Sequence, residues 1–170
     1  ETLCWLPLDV QQNGMNPAPA SVQIALDIVE HEEDITGVTT PCSTCGQGSP
    51  QNPRTWQRRY DYLEMPRLLM IQLRRWNDQH QANLESAHAD DLITFHDHYY
   101  KLCGTIVHLG PSLRSGHYVA VVKHDNCWWV YDDTLRIPAS EEQVTTTQQN
   151  YRGYGPMKSY VLLYEMLGSD

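Results

Sequence analysis

The sequence predicts an α+β fold: a mainly antiparallel β-sheet with one helix packed against it. Three observations carry this prediction. Runs of β-branched and aromatic residues recur between polar turn signals along most of the chain. Only the stretch after Ser21 places apolar residues at helical spacing. Residues 118–122 and 128–131 are apolar runs that bracket His124-Asp125-Asn126, the pattern of a hairpin.

The elements follow in order. Leu3 to Val10 reads as a short strand, and Pro7 confines it to an edge or a bulge because proline donates no ladder hydrogen bond. Gln11 to Ala20 carries Asn, Gly and prolines and reads as a loop. Ser21 is placed to N-cap a helix reaching about residue 33, with Val22, Ala25, Leu26 and Val29 on one face. Gly37 is its stop signal, and residues 38–56 read as a loop-rich segment. Arg58 to Glu64 and Arg67 to Trp76 read as strands separated by Met65-Pro66. Asn77 to Asp91 is polar without periodicity and reads as an exposed loop. Tyr99 to Leu109 is a strand, Gly110 to Gly116 a loop, and the hairpin follows. Residues 135–148 are polar, with a short helical turn expected near Ser140 to Gln143. Tyr151 to Met157 reads as a loop and Ser159 to Leu167 as a closing strand.

The 170 residues suffice for one domain with a core. A net charge of −9 argues against nucleic acid and against an anionic membrane surface. It suits a basic protein partner, or simply keeps the surface soluble. No stretch approaches the roughly 20 apolar residues of a membrane span. Five cysteines form an odd set that does not read as a disulfide framework. With no signal or transit pattern, a reducing cytoplasmic or nuclear setting is expected. The chain starts at Glu1 rather than Met, so it is expected to be cut from something longer. Cys103 and Cys127 lie in apolar strand patterns and read as core residues.

Four groups of residues are candidates for chemistry. Pairing about a hairpin centre near residue 125 puts His117 opposite Asp132, Asp133 or Thr134. Directly opposed residues have Cβ atoms roughly 5 Å apart, so His117 reaches a carboxylate. That is the base and orienter of a nucleophilic triad, or a surface histidine beside a turn acid. Gly116 lets backbone or substrate approach closely. Cys42-x-x-Cys45-Gly46 is half of a tetrahedral zinc site; two more donors are needed, and His31 is the nearest. His96 and His98 share a face if 92–98 is extended, and otherwise read as solvated loop residues alongside His80, His88 and His108. Cys4 lies in a strand with a proline, a poor setting for an activated thiolate.

A series of motifs, in order along the chain, resembles the ubiquitin-specific protease family of papain-like deubiquitinases. Leu3 to Val10 is similar to its "xLxLxI" strand, and Glu33-Asp34-Ile35 to the end of its helix segment. Cys42-x-x-Cys45 is similar to the second cysteine pair of its fingers zinc ribbon. Leu63 to Trp76 resembles "LPxxLxIxLKRF", with Trp76 in place of Phe. Tyr100 to Gly110 resembles "YxLxGVxVHxG", and Ser115 to Ala120 matches "SGHYVA" residue for residue. Trp128 to Asp133 resembles "WYxFDD", and Ser159 to Glu165 the closing "AYxLFYE".

The resemblance implies a fold and roles. Residues 1–170 would be the C-terminal part of the catalytic domain as one domain. Residues 21–64 would be the helix and partial fingers, 65–170 the palm sheet with the histidine box, and the thumb would be missing. The activity would be thiol-dependent hydrolysis of the isopeptide or peptide bond at the C-terminus of ubiquitin or a ubiquitin-like protein. His117 would be the general base, Asp132 its orienter and Asp133 an adjacent support. Gly116 and Tyr118 would line the approach of the substrate tail, beside a flexible loop from Gly110 to Gly116. No cofactor would be required, and zinc at Cys42 and Cys45 would be a half site. The family's cysteine box, its oxyanion asparagine and its first zinc-ribbon pair are not in these residues. Three readings follow. An upstream segment of the same parent protein supplies the nucleophile; or the chain is a non-catalytic ubiquitin-binding or scaffolding module; or Cys4 serves a minimal protease.

Overall fold

The computed structural model describes residues 3–10, 20–30, 33–46, 48–49, 53–58, 62, 64–75, 87–112, 114–141, 144 and 158–168. The chain divides into two compact units, one assembled from Glu1–Leu26 with Glu64–Asp170, the other from Asp27–Leu63.

The first unit is built on a mainly antiparallel sheet. Its strands are β1 (Leu3–Asp9), β4 (Leu68–Arg74), β5 (Leu92–Phe95), β6 (His98–Ser112), β7 (Ser115–His124), β8 (Cys127–Asp132), β9 (Leu135–Ala139) and β10 (Lys158–Met166). The order across the sheet is β1-β4-β10-β6-β7-β8-β9, with β5 also paired to β6. The last long strand, β10, inserts between β4 and β6, so the C-terminal segment completes the middle of the sheet. β1 lies at one edge and pairs with β4 in parallel. Pro7 is thereby confined to an edge strand, as its missing donor requires.

One face of the sheet carries the core. Leu69, Ile71 and Leu73 alternate with half-buried residues along β4. Leu102, Val107 and Leu109 of β6, Val119 and Val121 of β7, and Trp128 and Val130 of β8 continue that layer. Each such side chain contributes about 1.5–3 kcal/mol by leaving water. The helix α1 (Val22–Glu30) begins where Ser21 Oγ accepts the Ile24 amide at 3.4 Å, the expected N-cap. Val22, Ala25 and Leu26 are buried. Gln23 fastens α1 to β5, accepting from the Thr94 amide at 2.7 Å and donating to the Thr94 carbonyl at 3.0 Å. Its own amide donates to Asp90 Oδ2 at 2.9 Å. No helix among the described residues is long and apolar enough to cross a membrane.

Among the described residues Arg75 is the largest fully buried side chain, and it holds the sheet to its neighbouring segment. Nε donates to the Ser159 carbonyl and a terminal nitrogen to the Ala87 carbonyl, both at 2.7 Å. Burial lowers its pKa to about 10.

The second unit contains a two-stranded antiparallel ribbon, β2 (Glu33–Val38) with β3 (Arg54–Arg58). Several expectations change here. The helix ends at Glu30, before Gly37. Gly37 instead lies inside β2 at a register shift, with φ +71°. A strand occupies Arg54–Arg58; of the strand expected at Arg58 to Glu64, residues 59–61 and 63 lie outside the described residues.

Two further differences lie in the first unit. Gly110 to Gly116 is not an open loop: β6 continues to Ser112 and β7 begins at Ser115, with those two residues paired. Residues 135–139 form β9 on the sheet edge, where Pro138 is tolerated. Glu141 and Val144 adopt helical conformation, where the short turn was expected. Trp76, the rest of the polar stretch to Ser86, and the loop at Tyr151 to Met157 lie outside the described residues.

Candidate active site

The site begins with a two-residue turn. Asp125 and Asn126 have φ +49° and +61°, left-handed values that these short polar side chains tolerate. This turn sets the β7–β8 register, with His124 paired to Cys127 and Ala120 to Tyr131. The register brings Asp132, at the end of β8, to His117 near the start of β7. Nε2 of His117 lies 2.6 Å from Oδ1 of Asp132. The carboxylate is buried and the imidazole half-buried, so water competes weakly for this contact.

The geometry assigns the two ring nitrogens. An ionised carboxylate only accepts, so Nε2 carries the proton it donates to Asp132. Nδ1 is then the basic nitrogen of the neutral ring. A base held by a carboxylate in one orientation and one tautomer is equipped to deprotonate a nucleophile.

Asp133 follows at φ +50° in the turn between β8 and β9, and its side chain is exposed. Its carboxylate, Asp132 and His117 offer donor atoms all within 4.8 Å of one another. A tetrahedral zinc with bonds of about 2.0–2.1 Å would separate its ligand atoms by about 3.3 Å. The 2.6 Å contact is shorter than that and is a hydrogen bond.

Gly116 precedes the histidine in a space that no side chain fits. A Cβ there would lie 2.4 Å from the Leu109 carbonyl oxygen and 2.5 Å from His108 Nε2. Tyr118 follows and is exposed, its ring 4.8 Å from that of His108 and 6.1 Å from that of Tyr160. Partial burial, then Tyr160, raises the Tyr118 hydroxyl pKa. Tyr160 in turn accepts from Gln72 Nε2 at 2.7 Å. His108, Tyr160 and Gln72 were not singled out as site residues from the sequence. The pairing of His108 with Tyr118 in the β6–β7 register is the signal that finds the first of them.

The remaining candidates are described where they lie. Cys42 and Cys45 sit on a turn closed by the Gly46 amide donating to the Cys42 carbonyl at 2.8 Å. The Cys42 thiol pKa is lowered, first by the backbone amide of Cys45 and then by that of Thr44. Amides aimed at sulfur suit a thiolate, and hence a metal ligand. Among the described residues no third His, Cys, Asp or Glu completes a set with this pair. His31 and His80 lie outside the described residues. His96 and Asp97, at φ +46° and +61°, turn the chain between β5 and β6, so 92–98 is a hairpin rather than one extended face. His98 Nδ1 lies 2.6 Å from the His96 carbonyl oxygen. His88 lies 3.7 Å from Asp90. Cys4 is in β1, paired with Leu69, and not at a helix start. Cys127 is exposed beside the hairpin turn, contrary to the core position expected, whereas Cys103 is half-buried.

Known proteins share this arrangement of strands. A family model described as ubiquitin carboxyl-terminal hydrolase matches residues 39–164. "Ubiquitin carboxyl-terminal hydrolase 4" of Arabidopsis thaliana is 27% identical, over 99% of this chain and 47% of its own length. "Ubiquitin carboxyl-terminal hydrolase 21" of Rattus norvegicus is 24% identical, over 98% of this chain and 29% of its own length. The fold is similar to that in "Structure of the SAGA Ubp8/Sgf11/Sus1/Sgf73 DUB module bound to ubiquitin aldehyde". That match has a TM-score of 0.67 at 17% identity and covers 97% of this chain and 36% of the other. "Structure of the SAGA Ubp8/Sgf11/Sus1/Sgf73 DUB module" matches with a TM-score of 0.61 at 17% identity, over 97% of this chain and 33% of the other. The chain therefore spans less than half the length of these relatives and about a third of the solved chains. The family model covers most of the 170 residues, and it falls on the strands that carry the histidine and its carboxylate. The chain belongs to the ubiquitin carboxyl-terminal hydrolase family, as a member of its ubiquitin-specific proteases.

Proposed function

We propose that this chain is the general-base half of a thiol-dependent deubiquitinase. The 2.6 Å contact between His117 Nε2 and Asp132 Oδ1 is the observation that carries the reading. His117 Nδ1 takes the proton from a cysteine thiol, and the thiolate attacks the carbonyl carbon at the C-terminus of ubiquitin or a ubiquitin-like protein. The imidazolium gives that proton to the leaving amine, and the acyl thioester remains. His117 then deprotonates a water that hydrolyses the thioester. Asp132 stabilises the imidazolium at each step, and Asp133 supports it from the adjacent turn. Gly116 and Tyr118 line the approach of the substrate tail.

The nucleophile is supplied by a segment of the parent protein outside these 170 residues. The absence of a cysteine box in the sequence supports this, as does the position of Cys4 in a strand. Cys42 and Cys45 hold half of a structural zinc site, which adds folding free energy when completed. The setting is cytoplasmic or nuclear.

A ubiquitin probe carrying a C-terminal electrophile tests this. The expected result is labelling only after an N-terminal segment bearing a cysteine is added, and none with His117→Ala. Labelling of Cys4 in the isolated chain would favour a minimal protease. Ubiquitin binding without labelling in any form would favour a non-catalytic module. If no ubiquitin-like protein binds at all, the function inferred from the family is wrong for this chain.

A further inference from the structure

We infer that His108 is a positioning residue that holds the backbone on both sides of His117. The inference rests on the reading of His117 as the base. Side chains alternate along a strand, so Gly116 and Tyr118 share the face of β7 opposite to His117. That outer face is largely open to solvent: Tyr118 and Val122 are both exposed. His108, paired with Tyr118 across β6–β7, is by contrast only 2% exposed.

The imidazole fills the room that side chains would otherwise need at two glycines. A Cβ on Gly116 would lie 2.5 Å from Nε2 and 2.9 Å from Cε1 of His108. A Cβ on Gly110 would lie 3.3 Å from the same Cε1. The ring also packs on Tyr118 at 4.8 Å between centroids, with 56° between planes. The imidazole therefore touches both chain neighbours of His117.

The need for such a clamp is local. Gly116 has φ +155°, and glycine has the largest backbone freedom of any residue. The β6–β7 ladder also shifts register between Leu109 and Ser112, beside this point. Asp132 fixes the imidazole of His117 from the front, and His108 fixes the strand behind it. Small displacements of a base cost catalysis heavily, so the clamp bears on the chemistry without touching substrate.

Nuclear magnetic resonance of the folded chain tests this without ubiquitin. In the wild-type chain the Nε2–H proton of His117 should give a low-field signal, and the ring nitrogen shifts should report a proton on Nε2. His108→Ala should remove or broaden that signal while the chain still unfolds cooperatively. An unchanged signal and tautomer in folded His108→Ala would overturn the proposal. Should the alanine form fail to fold, His108→Asn, which keeps a planar polar group in the space, is read in the same way. A weakened signal supports the clamp, and an unaltered one overturns it. Absence of the signal in the wild-type chain would instead remove the His117–Asp132 pair, and with it the catalytic reading.

Discussion

His117 and Asp132 meet on the diagonal of the β7–β8 pair rather than directly across it. The register pairs Ala120 with Tyr131, and its extension places Thr134 opposite His117. Diagonal neighbours are farther apart at Cβ than opposed ones, about 7–8 Å at the backbone against 4.5–5.5 Å. The imidazole spans that gap to its 2.6 Å contact, and the diagonal leaves Asp133 free to enter the next turn.

Asp132→Asn preserves shape and removes the charge that fixes the tautomer. In the cysteine-bearing protein it should lower kcat by about a hundred- to ten-thousandfold. Asp133→Asn, an exposed neighbour, should cost less than about tenfold, an effect of rim electrostatics. Steady-state hydrolysis of a ubiquitin C-terminal amide compares the two. Equal losses would assign the orienting role to both carboxylates.

Arg75→Met replaces a buried guanidinium by an apolar chain of similar length. It removes the charged donor's hydrogen bonds to the Ser159 and Ala87 carbonyls, worth about 1.5–3 kcal/mol each. A stability loss of that order should appear in urea unfolding. The folded pKa of about 10 lies below the ordinary guanidinium range, so above about pH 10 the folded state binds fewer protons than the unfolded one. Wild-type stability should therefore gain from this group as pH rises above that value, and the variant should lack that gain. Below about pH 10 the group is charged in both states, and the difference between wild type and variant should be flat.

The two strand ladders show where the sequence was legible. The hairpin from Ser115 to Asp132 was readable because its turn, its apolar alternation and its polar ends agree. The same holds for β4 and β10, whose apolar runs are long. The ribbon β2–β3 was not readable: Ile35 and Trp56 are exposed, its other described side chains are mostly polar and exposed, and Gly37 carries a helix-stop signal inside a strand. β9 was hidden by Pro138, which an edge strand accepts. The length of β6 was hidden by Gly110 and Pro111, which mark a bulge rather than a loop. His108 escaped notice as a site residue because one histidine among eight has no distinguishing pattern until its cross-strand partner is known.

The thiols should differ in reactivity. Backbone amides lower the Cys42 pKa, and burial followed by Glu165 raises that of Cys103. Iodoacetamide labelling followed by peptide mass spectrometry should modify Cys42 well before Cys103. Raising the pH should speed Cys103 more, since less of it is thiolate at neutrality. Comparable rates at neutral pH would show that the amides around Cys42 do not face its sulfur in solution.

Zinc content should follow donor count. Metal analysis of the isolated chain should give well under one zinc per molecule, because a tetrahedral structural site needs two donors beyond Cys42 and Cys45. Stoichiometric zinc, lost in Cys42→Ser, would mean that two further donors lie within these residues.

The most direct test concerns His117 itself. Hydrolysis of a ubiquitin C-terminal amide should be measured in the cysteine-bearing protein with and without His117→Ala, with folding of both checked by circular dichroism. Loss of the base should lower kcat by at least about a thousandfold, with ubiquitin binding unchanged. Hydrolysis by folded His117→Ala at the wild-type rate would contradict the assignment of His117 and Asp132 as the base and its orienter.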